Sequence, residues 1–498
     1  MNYQELVFAL NKIGIALSSE RNLDSLLTLI VNEIIDFTDC DAASLYLREY
    51  NPDQLIFQAA KNLTMEKRNP FSMGKFKAFP VALQKESIAG YTALTGEIVN
   101  IADCYNLPAD TEYKFNRSYD EMNNYRTVSI LSVPMMATDG KVIGVIQLIN
   151  KIGSEGTAVA FSVEYEKIIA SLASQAAVAI SNVRLLQQNK DLYKALVSSF
   201  SEAIEARSPH TAGHSKRVAY ICLLIARELA NATEGAYAGR KFTQEEIEEL
   251  RIAALLHDVG KISVPEVVLE KANKLTDEQV DVIKLRFECI KYHLYEAFVI
   301  PEERAEAIRL ADEDLQFILA KNIPGFMKDD EQQRLKEIAA KKYLDFSGVE
   351  QNWLTEKEYY FLSVVKGNFT PEEYKVMQNH VVTTYDILKN VPFTEELENI
   401  PLFAGSHHEM LNGSGYPAHI TAEKLPLQTR IMAVADIFEA LTAADRPYKK
   451  AIPLEKSLDI LRFEVKDGRL DPDLVNLFIN NKIYEKYITA RDTNTAEV

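Results

Sequence analysis

The stretch SHHEMLNGSGYP at positions 406–417 sets two adjacent histidines, His407 and His408, and Glu409 before a turn built from Gly413, Gly415 and Pro417. Imidazole is costly to bury without a partner, and two side by side need partners in different directions. A polar surface turn satisfies them with water; a metal satisfies them inside the protein. The chain has eight histidines in all: His210, His214, His257, His293, His380, His407, His408 and His419. His257 is followed by Asp258 in LLHDVGKI, at the polar end of an apolar helical run, and Asp436 lies in IMAVADIFEAL, again an acid within an apolar run. A buried carboxylate without a cation is unfavourable. Ordinary core hydrogen bonding accounts for any one of these residues. Taken as a set they point to a metal centre, with neutral imidazoles and ionised carboxylates as ligands.

The elements that must position them are largely helical. GHSKRVAYICLLIARELA and EEIEELRIAALLHDVGKI each carry one apolar face, as helices packed on a core do. Upstream, residues 1–163 mix periods: LDSLLTLIVNEIIDF has helix spacing, AASLYLRE and QLIFQAA read as strands, and SILSVPMMATDGKVIGVIQLINK reads as a hairpin turning at Asp139-Gly140. This is an α+β sensory-module pattern. Residues 164–208 read as a connecting helix, with Ile169, Leu172, Ala176, Ala179, Val183 and Leu186 at spacings of three and four. Such a seam predicts a coiled coil and a parallel homodimer, ending at Ser208-Pro209. The last residues, 487–498, read as a flexible tail.

HDVGK together with HHEMLNGSGYP, and VADIFEALTAADRPYKK further on, resembles the HD-GYP family of metal-dependent phosphohydrolases over roughly residues 200–460. The resemblance implies that His214, His257, Asp258, His380, His407, His408 and Asp436 hold two or three divalent metals, iron or manganese, with Asp258 bridging. A histidine–carboxylate shell without thiolates suits those metals and does not exclude zinc. By the same resemblance Lys261 grips the scissile phosphate, Gly415, Tyr416 and Pro417 line the substrate, and Arg446 and Lys449 contact the rest of an anionic nucleotide. The family hydrolyses cyclic di-GMP to pGpG or GMP, and some members prefer cyclic GMP-AMP. Two other readings are an HD phosphohydrolase acting on another nucleotide and a catalytically silent signalling module.

This chain departs from the family pattern in several places. RSPHT places His210 four residues before His214, which makes His210 a further candidate ligand for a third metal. LTAADRPY is one residue longer than usual, which shifts the register of Arg446 and Lys449. The family's ligand histidine stands ten residues beyond the threonine of a KLT motif, yet here KLTDEQ leads to Arg286, while a second copy, NFTPEE, leads to His380. A helical insertion of about 287–366 inside a 209–486 phosphohydrolase domain follows. The N-terminal module resembles a GAF domain; Asn150, Lys151, Phe161 and Glu166 match that family's cyclic-nucleotide motif, but Tyr165 replaces its Asp, so a dimerising role competes with a small-molecule ligand.

The 498 residues suffice for about two to four domains. A net charge of −17 argues against a nonspecific grip on nucleic-acid polymers or anionic membrane. Four scattered cysteines fit a reducing compartment. With no signal peptide read at the start and no run near 20 apolar residues, the expectation is a cytoplasmic protein.

Overall fold

Strand β1 (Cys40–Tyr50) pairs antiparallel with β2 (Asp53–Asn62) on one side and with β6 (Val142–Ile152) on the other, Leu45 facing Ile146. With β3 (Phe79–Val81), β4 (Val99–Ile101) and β5 (Ile130–Met136) the order is β3-β2-β1-β6-β5-β4, and β7 (Ala158–Val159) adds to β6. The β5–β6 hairpin turns where expected, with Gly140 at φ +81°, a conformation that costs glycine little. The computed structural model describes residues 3–68, 78–207, 213–345, 347–443 and 451–493, in two units, Met1–Tyr193 and Lys194–Val498.

Helix α2 (Leu23–Thr38) packs on β1 and β2, and α1 (Tyr3–Ser19) packs on α2; the short α3 (Leu63–Arg68), α4 (Ile88–Thr95) and α5 (Ser118–Asn123) lie between strands. Helix α6 (Val163–Glu205) follows. Leu26, Ile30 and Ile34 pack with Leu45, Leu131 and Ile146, and with Ile169, Leu172, Ala173, Ala176, Ile180 and Val183 from α6. Of the residues assigned to a dimer seam, Ile169, Leu172, Ala176, Ala179 and Val183 are therefore core residues of their own domain, 7% exposed at most, whereas Leu186 is 49% exposed. Their period identifies an apolar face, and the core of the domain itself, α2 and the sheet together, covers that face. An 18-residue window of α6 has mean hydropathy 1.4, so by length and composition alone it passes as a membrane span, a test that a core helix also passes.

The second unit opens with the end of α6, from Lys194, and continues with α7 (His214–Asn231) and α8 (Gln244–Leu256), followed by a 3₁₀ turn (Val259–Ser263) and α9 (Glu266–Leu269). Next come α10 (Asp277–Ala297), α11 (Pro301–Asn322), α12 (Asp329–Ala340) and α13 (Glu356–Leu362), with paired β8 (Gly325–Phe326) and β11 (Lys366–Gly367), and paired β9 (Lys342–Leu344) and β10 (Glu350–Asn352). These elements bury their own cluster, from Leu275 through Phe287, Ile318, Leu335 and Trp353 to Leu362. The expected insertion is thus not purely helical. Its cluster starts at Leu275 rather than at 287, because Lys274 N–H and Leu275 N–H already bond to Asn322.

Helices α14 (Pro371–Leu388), α15 (Ile400–Ala404), α16 (Leu427–Thr442), α17 (Leu454–Lys466), α18 (Pro472–Asn480) and α19 (Ile483–Asp492) complete the unit. The expected tail from 487 is partly core: Tyr487 is fully buried, its ring 6.1 Å from that of Phe438. Ile483, Tyr487 and Ala490 share one buried face of α19, at spacings too short a pattern to stand out in the sequence.

Candidate metal centre

Six elements bring polar side chains to one place. His214 is the first residue of α7, His257 caps the end of α8, Asp258 opens the 3₁₀ turn, His380 lies within α14, His407 and His408 follow α15, and Asp436 lies within α16. Gly260 permits the closest approach among them: a Cβ there would sit 1.9 Å from the His380 carbonyl oxygen. Its N–H donates to Thr384 Oγ1 at 2.9 Å, and that hydroxyl donates to the His257 carbonyl at 3.0 Å. The 3₁₀ turn and α14 are therefore held in one register.

The ligand atoms form two groups. Those of His214, His257 and Asp258 lie within 4.8 Å of one another, as do those of His380, His407 and His408. Both carboxylates straddle the groups. Asp258 Oδ2 lies 3.3 Å from His257 Nε2 and 3.8 Å from His214 Nε2, while Oδ1 lies 3.4 Å from His380 Nε2. Asp436 Oδ1 lies 3.2 Å from His214 Nε2, and Oδ2 lies 3.9 Å from His408 Nδ1.

The donor set fits metal ions. Nδ1 of His257, His380 and His407 bonds to the carbonyls of Ala254, Met377 and Ala404 at 2.7, 2.6 and 2.6 Å. A carbonyl only accepts, so each Nδ1 carries the proton and each Nε2 presents a lone pair. Those three Nε2 atoms are buried without a hydrogen-bond partner, an unfavourable state that a cation relieves. The Asp258 contacts at 3.3 and 3.4 Å do not satisfy them, since two acceptors face each other.

The electrostatics divide in the same way. Burial, then the neighbouring His408, His257 and His380, push His407 well below the usual imidazole range; burial lowers His380 and takes His408 to about 4. Burial opposes charge on His214 too, but its bonds to Asp436 and Glu439 outweigh that and raise it to about 10. Asp258 and Asp436 stay ionised against burial, Asp258 through Lys261 and His257, Asp436 through His214. Burial opposes charge on His257 as well, but the neighbouring Asp258 outweighs it and raises that ring too. Without metal, His380, His407 and His408 are held neutral beside ionised carboxylates, while His214 and His257 are where a metal competes with a proton.

Glu409 is not a ligand. Buried, it accepts from the N–H groups of Ala418 (2.6 Å) and Ile420 (3.0 Å) and so fastens the loop around Gly415. A Cβ on Gly415 would lie 2.4–2.5 Å from the backbone of His408, Glu409 and Met410. This loop lays the Tyr416 ring 4.9 Å from that of His408 and leaves Pro417 exposed beside it. Lys261 Nζ lies 2.5 Å from Asp258 Oδ2. His293 lies on α10 within the insertion, and His419 is exposed with φ +55°; neither joins the site. His210, Arg446 and Lys449 lie outside the described residues.

The HD domain family matches residues 211–343 and again 357–474, and the GAF domain family matches 22–180. The chain joins a GAF domain to an HD domain of the HD-GYP type. This GAF–HD chain is 27% identical over 279 residues to "3'3'-cGAMP-specific phosphodiesterase 3" of Vibrio cholerae, covering 56% of the chain and 36% of that protein. It is 25% identical over 287 residues to "Cyclic di-GMP phosphodiesterase response regulator RpfG" of Xanthomonas campestris, covering 57% and 47%. Over 135 residues it is 34% identical to "Cyclic di-GMP phosphodiesterase" of Thermotoga maritima, covering 26% and 35%. The chain thus spans about a third to a half of the length of these relatives.

Sequence reasoning passed over Glu439. It is fully buried, accepts from His214 Nδ1, and receives Arg217 Nε at 2.5 Å. The available signal was its place three residues after Asp436, on the same helix face. In the GAF domain of the GAF–HD chain, Lys151 finds a substitute for the missing Asp: Asp39 at 3.5 Å and the face of Tyr165 at 5.2 Å. Asn150 accepts from Val128 and Ser129 N–H, and Glu166 accepts from Asn100 at 2.7 Å. These motif residues tie the domain's own loops together.

Proposed function

We propose that this chain hydrolyses a phosphodiester bond of a cyclic dinucleotide at a centre of two divalent metals, in second-messenger signalling. One observation carries the reading: Asp258 and Asp436 each turn one oxygen to each histidine group, beside three buried Nε2 lone pairs without hydrogen-bond partners. His214, His257, Asp258, His380, His407, His408 and Asp436 are the proposed ligands, and iron or manganese the proposed metals. A bound metal pair supplies Lewis acidity and activates water. The residues do the rest. Asp258 and Asp436 balance the cationic charge, Glu439 holds the His214 ring, and Lys261 offsets charge developing on the phosphoryl oxygens. Tyr416 and Pro417 form a wall on which a nucleobase rests. Arg446 and Lys449 are proposed contacts to the remaining phosphate, and His210 a ligand for a third metal.

The proposed substrate is cyclic di-GMP, cleaved to pGpG or GMP. A second reading is 3'3'-cGAMP, favoured by similarity to the Vibrio cholerae enzyme. Anaerobic purification, metal analysis and product identification on both dinucleotides test it. Asp258→Ala should abolish turnover and lower bound metal, and turnover at the wild-type level with manganese supplied would remove this reading. Lys261→Ala should keep metal near normal and cost about 2–4 kcal/mol in transition-state stabilisation.

A homodimer is proposed through the outward face of α6, where Val178, Leu185 and Leu192 recur every seven residues and are 44%, 55% and 59% exposed. Leu185→Glu with Leu192→Glu should yield a monomer by light scattering; an unchanged mass rules this face out. The self-paired motif of the GAF domain favours dimerisation over a small-molecule ligand as its role.

A further inference from the structure

Helix α7 opens with a ligand and without a cap of its own. Its N-cap is Gly213, at φ +71°, which offers no side chain to the first turn. The missing acceptor comes from the end of α6. Glu205, 7% exposed, accepts from Gly213 N–H at 2.7 Å and from Ser215 N–H at 2.6 Å. These two amides flank His214. A carboxylate here satisfies orphan donors and complements the positive end of the helix.

Two residues further on, the Arg207 guanidinium donates to the carbonyl of Ile262 and, at 3.0 Å, to that of Val264. Both carbonyls lie at the end of the 3₁₀ turn that starts from Asp258 and contains Lys261. The turn is closed internally by Lys261 N–H to Asp258 O and by Val264 N–H to Lys261 O, each at 3.0 Å. One end of one helix therefore grips both chain segments that carry His214 and Asp258–Lys261.

We propose that Glu205 and Arg207 are positioning residues that couple the last turn of α6 to the metal centre. This rests on the function proposed above. Helix α6 runs from Val163 to Glu205, and its first turns pack in the GAF core. A rotation or axial shift of its last turn displaces the two amides beside His214 and the two carbonyls beyond Lys261 together. His214 and Asp258, both of the first ligand group, then move relative to His380, His407 and His408 of the second, which α14 and the segment after α15 carry. Glu205 contributes more than Arg207, being buried with both oxygens engaged at α7, whereas Arg207 is exposed.

The test uses the full chain as wild type, Glu205→Ala, Glu205→Gln, Arg207→Ala and Glu202→Ala. Glu202 is the control: it lies on the same turn and pairs with Lys216 at the surface, where an ion pair contributes little. Three quantities are read: amide exchange of metal-free protein over 213–218 and 259–266, manganese retained after dialysis, and kcat and KM on the cyclic dinucleotide. Glu205→Ala should speed exchange in the first segment, and it should lower manganese affinity and kcat about 10–100-fold with KM within about threefold. Glu205→Gln, which keeps one acceptor, should recover part of this. Arg207→Ala should speed exchange in the second segment and lower kcat while retaining manganese. Glu202→Ala should match wild type. Faster exchange with wild-type manganese affinity and kcat would reduce Glu205 and Arg207 to simple caps and overturn the coupling. Unchanged exchange in both variants would overturn it as well. A wild-type protein that neither retains manganese nor cleaves the dinucleotide would instead remove the proposed function, which the exchange measurement does not need.

Discussion

Helices α10 and α14 start with the same device and finish in different chemistry. Thr276 accepts from Gln279 N–H, and Thr370 accepts from Glu373 N–H; in each case the N3 side chain answers the threonine N–H at 2.9 Å, a complete capping box. Ten residues past each threonine the two helices present Arg286 and His380. Arg286 makes a two-pronged bond to Glu358 at 2.6 and 3.0 Å inside the insertion. His380 instead offers an unpartnered Nε2 to the proposed metal centre. A cap sets where a helix begins and therefore which residue sits ten positions on; it does not set what that residue meets. That is decided by the neighbours, the insertion core for α10 and the Gly260 turn for α14.

The largest expected contrast is between truncations of those two residues. His380→Ala should lower turnover at least about 100-fold and reduce bound metal, with the fold intact by circular dichroism. Arg286→Ala leaves Glu358 buried without its cation and should destabilise the insertion by about 3–5 kcal/mol, read as faster amide exchange in α10 and α13 with metal content unchanged. If Arg286→Ala loses metal as His380→Ala does, the insertion and the centre are one cooperative region and the contrast fails.

A smaller effect should come from the bond that joins the two ends of the insertion. Lys271 Nζ, with its side chain 6% exposed, contacts both oxygens of Glu373 at 2.6 and 2.8 Å, and Asn368 donates to the Lys271 carbonyl. Lys271→Met should lower the thermal midpoint by several degrees, corresponding to about 2 kcal/mol for a partly buried charged bond, and loosen the first turn of α14. An unchanged midpoint would show that the insertion is held by its core alone.

The smallest effect should separate the caps themselves. Thr370→Ala and Thr276→Ala should each cost about 1 kcal/mol. Only Thr370→Ala should also reduce kcat, because α14 carries His380. Equal kinetics in the two variants would mean that the start of α14 does not control the position of its histidine.

Much of the centre was legible before any fold was known. Histidines and acids placed at the polar ends of apolar runs cannot remain unpaired there, so LLHDVGK, HHEMLNGSGYP and VADIFEAL marked His257, Asp258, His407, His408 and Asp436. Resemblance to the family's threonine motif, repeated here, pointed to His380, and the Asp139-Gly140 turn located the β5–β6 hairpin. These signals are local: a turn, a cap and a period each depend on residues close together in the chain.

What the sequence determined by itself is therefore which residues share a face and where elements start. Only the tertiary structure decided what covers each face. The period from Ile169 to Val183 predicts a dimer seam and is filled by the domain's own core; Glu439 orients His214 from 225 positions away; Glu205 caps the helix that starts at His214. The physical reason is the same in all three cases. Burial and hydrogen bonding depend on distances between atoms, and a period along one helix carries no information about the element that will lie against it.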